Sequence, residues 1–271
     1  MASGLQSRIV MVPTEYGPIE VHVQGEGPLV VMLPSLGRGA ADFDDLAADV
    51  AAAGYRVACP EPRGLGASAV PDREETLATL AADVAAVIAE LGDGPAVVVG
   101  HAYGNRIARM TATNHPELVE SLVLLACGGF IPVTDEMAVA LRTIFDPRNP
   151  PEARLDAVGR AFFAPGNDAS VWADGWYGKL AHQQEKATVS TPVGDWWAGG
   201  RAPMLAVQPA DDRLAVPANA DALVEAVGDR VEVVVIPNAG HALLPEQPEA
   251  VAQTVIGWLD RRFGRSPVEV G

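Results

Sequence analysis

Short apolar runs alternate with amphipathic stretches along most of the chain. Ile19–Val23 alternates like a half-exposed strand, whereas Leu29–Leu33 is apolar throughout, as a strand covered on both faces would be. A helical pattern over Asp42–Ala53 stops at Gly54, and Tyr55–Cys59 reads as the next buried strand. Leu77, Leu80, Val84, Val87, Ile88 and Leu91 recur at helical spacing and end at Gly92. Strand Ala96–Gly100, helix Asn105–Thr113 and strand Leu122–Ala126 follow. This alternation predicts right-handed crossovers and a parallel sheet with helices on both faces.

The rhythm breaks near Phe130 and resumes at Pro203, with strands expected at Met204–Gln208 and Val231–Ile236. Helices are expected near Ala218–Val227 and Pro248–Arg261. The intervening stretch of about 70 residues is too long for a plain crossover. It contains helix-like runs at Asp135–Ile144 and, after Asn149-Pro150-Pro151, at Glu152–Phe163. Four of the five tryptophans fall here, Trp172, Trp176, Trp196 and Trp197, with Phe130, Phe145, Phe162, Phe163 and Tyr177. As a set they are expected to line an apolar pocket. The tail from Gly264 to Gly271 is expected to be loose.

At 271 residues the chain fits one large domain with an insertion, and 49% hydrophobic residues supply an ample core. A formal net charge of −16 argues against a nucleic-acid partner, which needs clustered Lys and Arg. Two cysteines, Cys59 and Cys127, imply free thiols rather than a disulfide framework. Neither a secretory-type start nor an apolar run of membrane-spanning length is visible, so a cytoplasmic protein with no membrane partner is expected. Oligomeric state is not legible.

Ligands of a parallel sheet bind beyond the carboxyl ends of its strands, and four segments converge there. Pro34-Ser35-Leu36-Gly37-Arg38-Gly39 can point backbone amides into a cavity, but it lacks the ending of a phosphate loop. Gly100-His101-Ala102-Tyr103-Gly104, between a valine strand and a helix, has the spacing of a nucleophile elbow with alanine at its centre. Asp211-Asp212 follows the Met204–Gln208 strand, where one carboxylate can orient an imidazole. His241 sits on a glycine-loosened loop after Val231–Ile236, well placed as a general base. His101 is expected to pack beneath the elbow, and His22, His115 and His182 have weaker cases. No spacing of histidines with carboxylates points to a metal, and no cofactor is implied.

Together these residues resemble the α/β-hydrolase superfamily over nearly the whole chain, from Ile19 to about Phe263. The order of elbow, acid and histidine matches, and Arg63-Gly64-Leu65-Gly66-Ala67-Ser68 is similar to a loop of that superfamily. The resemblance implies an α/β fold with a mostly parallel central sheet flanked by helices. A helical cap inserted after the sixth strand would span residues 130–200, with a core of 1–129 and 201–271. It further implies Ala102 at the nucleophile position, His241 as base, and Asp212 as acid with Asp211 the alternative. Backbone amides of Leu36 and Tyr103 would form an oxyanion hole. Ser35, Phe145, Trp176, Trp196 and Trp197 would line the substrate pocket.

Two departures stand out: Pro34-Ser35 replaces the usual His-Gly, and Ala102 replaces serine. The implied substrate is a small, largely apolar or aromatic ester, lactone or related carbonyl compound. Ala102 leaves three readings. The first is a disarmed serine hydrolase. The second is an enzyme whose His241–Asp212 dyad activates water or shuttles a proton in epoxide opening, elimination or isomerisation. The third is a non-catalytic binder. Under the second, Trp196 and Trp197 are candidates to donate hydrogen bonds to a leaving or epoxide oxygen.

Overall fold

The computed structural model of the chain describes residues 7–265, so residues 266–271 of the expected loose tail lie outside the described residues. Eight strands form one sheet among these residues: β1 (Arg8–Val12), β2 (Ile19–Gln24), β3 (Leu29–Leu33), β4 (Arg56–Pro60), β5 (Ala96–His101), β6 (Val119–Leu125), β7 (Met204–Pro209) and β8 (Val231–Ile236). Their order is β1-β2-β4-β3-β5-β6-β7-β8. β1 pairs antiparallel with β2 and β2 antiparallel with β4, and every later pairing is parallel. This is the α/β-hydrolase fold. β1 escapes the hydrophobic pattern because it is an edge strand whose Val12 alone is buried.

The period-two alternation of the strands sorts their side chains into two cores. Val31, Leu33, Val98, Leu122, Leu124 and Met204 face α2 (Leu77–Leu91) and α3 (Tyr103–Asn114). Val30, Met32, Val97, Val99, Val123, Leu125, Leu205 and Val207 face α1 (Asp44–Ala52) and α9 (Pro248–Phe263). The central strands, buried on both sides, therefore read as continuous valine and leucine runs. The turn Ala40–Phe43 before α1 is 3-10 rather than α-helical, so the expected Asp42–Ala53 helix starts at Asp44. Thr76 caps α2 reciprocally with Thr79, each side chain accepting the other's backbone N–H.

Between β6 and β7 the chain leaves the sheet to form α4 (Asp135–Phe145), α5 (Pro151–Phe162) and α6 (Gly178–Val189). Met137, Ala140 and Ile144 pack on Ala157, Val158, Ala161 and Phe162, with Trp172 completing a third, separate core. Leu214 and Ala242, from loops after β7 and β8, join this cluster and tie the insertion to the sheet's carboxyl edge. Beyond β7 come α7 (Ala218–Val227) and the single turn α8 (Leu243–Glu246).

Candidate active site

β5 passes into α3 through one residue, Ala102, held at φ 49° and ψ −101°. A side chain with a β-carbon resists this region, so the turn persists because its surroundings fix it. Gly100 and Gly104 are required by contact: a β-carbon at Gly100 would strike the Gly104 backbone, and one at Gly104 would strike the Leu33 carbonyl of β3. The Ala102 amide donates to Leu125 O at 2.9 Å, and Asn105 Nδ2 donates to Leu125 O and Ala126 O. The elbow is thereby clamped to the end of β6.

Asp212 lies in the loop after β7 and is buried. Its Oδ1 accepts from the Leu214 and Ala215 amides at 2.9 and 2.8 Å, and its Oδ2 lies 2.9 Å from His241 Nδ1. A carboxylate accepts only, so His241 Nδ1 is the donor in this pair. Asp211 is exposed, and its amide is bound to Ala239 O. The geometry brings Asp212, not Asp211, onto the imidazole.

The His241 loop is also fixed from the insertion side. Ala242 N donates to Phe162 O at 2.8 Å, and Glu246 accepts from both Gly240 N and Ala164 N at 2.7 Å. A β-carbon at Gly240 would lie 2.6 Å from Phe162 O, which explains the glycine. Behind the loop, His101 Nε2 donates to His241 O at 2.7 Å, with its ring 5.5 Å from that of His241. Burial pushes the His101 pKa down to about 3, so it is a neutral packing group beneath the elbow.

Ala102, His241, Ser35, Leu36 and Tyr103 border one cavity of about 490 Å3. Its remaining wall is largely apolar: Ile131, Val133, Leu141, Phe162, Val189 and Leu214, several of them from the insertion. The Leu36 and Tyr103 amides make no hydrogen bond to any described residue. Next to Leu36, Gly37 N donates to Gln184 Oε1 of α6 at 2.7 Å, which holds that loop in place. Among the described residues, no group of three or more His, Cys, Asp or Glu is placed to hold a metal ion.

The aromatic expectations need correction. Phe145 packs on the Gly37 turn and on Trp176, at 5.6 Å between ring centroids, and borders a different surface cavity. Trp176 is a packing group, donating its indole N–H to Trp172 O at 2.7 Å beneath the Arg38 guanidinium. Trp196 and Trp197 do not reach the cavity either. Both are buried in the core beside α3, each 4.6 Å from the Arg109 guanidinium. The chain returns to β7 along α3, so these indoles fill that seam rather than the pocket. The apolar lining comes instead from Phe162, Leu214 and residues 131–141. Arg106 was absent from the expected site, yet helical spacing from Ala102 was a signal that would have found it.

A sequence profile of the alpha/beta hydrolase family matches residues 30–254, and the chain belongs to that family. Its relatives and structural neighbours include hydrolases of the α/β-hydrolase superfamily. It is 25% identical over 258 residues to 2-(acetamidomethylene)succinate hydrolase of Mesorhizobium japonicum, covering 89% of this chain and 91% of that protein. With BpoC of Mycobacterium tuberculosis, which carries a provisional non-heme bromoperoxidase name, it shares 32% identity over 231 residues, 74% of this chain and 81% of BpoC. The BpoC crystal structure superposes with a TM-score of 0.74 at 27% identity, covering 90% of this chain and 96% of that one. The AB hydrolase superfamily protein YfhM of Bacillus subtilis is 30% identical over 113 residues, and the match spans 40% of its length. No described helix is long and apolar enough to cross a membrane.

Proposed function

We propose that this chain hydrolyses a small, largely apolar ester, lactone or related carbonyl compound without a serine nucleophile. The observation that carries the reading is the pairing of His241 Nδ1 with buried Asp212 at 2.9 Å, beside a cavity that also holds Ala102. His241 Nε2 takes a proton from a water seated in the space a serine hydroxyl would fill, and that water attacks the carbonyl carbon. The Leu36 and Tyr103 amides receive the charge that builds on the carbonyl oxygen, and His241 returns the proton to the leaving oxygen. Such a site retains an acceleration of roughly 10³–10⁴ over water from positioning and the oxyanion hole. The relative named as a hydrolase supports this reaction class. The insertion acts as a cap in this reading, since Leu141, Phe162 and Val189 border the cavity. Action on a free small molecule in the cytoplasm belongs to the same proposal and rests on composition.

A second reading, a hydrolase disarmed at one atom, is favoured by the φ of 49° at Ala102, the strained turn a serine nucleophile would need. One experiment tests both, with p-nitrophenyl acetate as substrate. Slow turnover by the unmodified chain should vanish in His241→Ala; unchanged turnover there would refute the dyad. Ala102→Ser with His241 intact should add a burst of p-nitrophenolate if the second reading holds, and the absence of any gain in a folded variant sinks it.

A further inference from the structure

Arg106, which is half-buried, differs from the buried arginines Arg38, Arg63 and Arg109. It sits on α3 four residues after Ala102, just over one helical turn, and borders the same cavity. Its guanidinium makes no ion pair and no hydrogen bond with any described residue. By contrast, Arg38 is bonded to Asp42, Arg63 to Asp83, and Arg109 to the Asn105 and Gly128 carbonyls. The Arg106 guanidinium carbon lies 5.6 Å from the Trp196 ring centroid, which supports one face. Gly129 keeps the neighbouring wall bare: a β-carbon there would fall 2.7 Å from Trp196 and 3.4 Å from Arg106 Nε. Burial also lowers the Arg106 pKa from its ordinary value, the expected cost of a cation without a partner. Among the described residues, Glu185 is the one acidic side chain on this cavity, and it is solvent-exposed.

We infer that Arg106 anchors a carboxylate carried by the substrate of the proposed site. This deepens the reading above and rests on it for the word substrate. A guanidinium presents paired N–H donors that match a planar carboxylate, and the low-dielectric wall around it strengthens that bond. The ligand class is then an apolar body with a carboxylate at one end, set beside α3, and its reacting carbonyl nearer Leu36 and Tyr103. A neutral ester would leave the cation unpaired on binding.

The test is isothermal titration of the full chain with benzoate and with benzamide, its neutral isostere, at about pH 8.5, above the ordinary imidazole range. Benzoate should bind at least about tenfold more tightly, and Arg106→Gln should erase that margin by weakening benzoate about 10- to 100-fold. Arg106→Lys should keep part of it. Benzamide affinity should stay constant across the three proteins, which reports an intact cavity. Raising NaCl to about 0.5 M should weaken benzoate alone, a comparison needing no variant. No benzoate binding, equal affinity for the two probes in the unmodified chain, or a preference surviving Arg106→Gln would each overturn the assignment. None of these readouts uses turnover, so failure of the dyad leaves them standing, and their failure leaves the dyad standing.

Discussion

Replacing Ala102 by glycine tests the elbow without any substrate. A non-glycine residue in a sparsely populated backbone region stores about 1–3 kcal/mol of strain, which glycine would release. Against that, glycine adds unfolded-state freedom costing about 0.5–1 kcal/mol. The lost methyl is half-buried and forfeits less than the about 0.8 kcal/mol of a fully buried carbon. The net expectation for Ala102→Gly is a gain of about 1 kcal/mol, or a rise in Tm of about 2–4 °C. Ala82→Gly, in the middle of α2, supplies the opposite sign, with an expected loss of about 1 kcal/mol from helix propensity alone. Urea unfolding followed by tryptophan fluorescence measures both. If Ala102→Gly is as destabilising as Ala82→Gly, the backbone at 102 is not held against its preference, and the strained-elbow argument fails.

Two further outcomes follow from packing. Gly104→Ala should cost about 3 kcal/mol or more, because its β-carbon meets the Leu33 carbonyl in the middle of the sheet, and a near-neutral urea midpoint would contradict the close approach of α3 to β3. His101 is depressed to about 3 from 6.5, so above pH 6.5 it is neutral in both states; as pH falls towards 3 the unfolded chain takes up a proton the folded one refuses. Its contribution is therefore complete above that window and lost within it, by at most about 1.4 kcal/mol per pH unit. His101→Gln, which keeps a donor for His241 O, should flatten the fall in stability between pH 7 and 5; parallel profiles for the two proteins would refute the burial argument.

The site was legible wherever a single strand or turn fixes geometry. Gly100 and Gly104 flag the elbow because no other residue fits, and Asp212 and His241 follow strands whose apolar runs are unmistakable. The insertion was legible as an interruption but not in its orientation. Trp176, Trp196 and Trp197 all look like pocket residues by type, and side-chain type does not say which side of a returning segment faces inward. In the fold Trp196 and Trp197 stack against the buried Arg109 guanidinium of α3. The edge strand β1 left little trace because exposure removes the pressure for an apolar face.

The bonds that join Phe162 and Ala164 to the His241 loop set a rule for molecular traffic. Swinging the α5 end outward would break Ala242 N–Phe162 O and Ala164 N–Glu246 Oε1, the bonds that brace the His241 loop from the insertion side. That side is consequently a fixed threshold. Val133 and Val189 also border the cavity, at 43% and 87% exposure, and carry no such bond to the His241 loop. Movement there, between α4 and α6, would break none of the bonds that join His241 to Asp212 or its loop to Phe162.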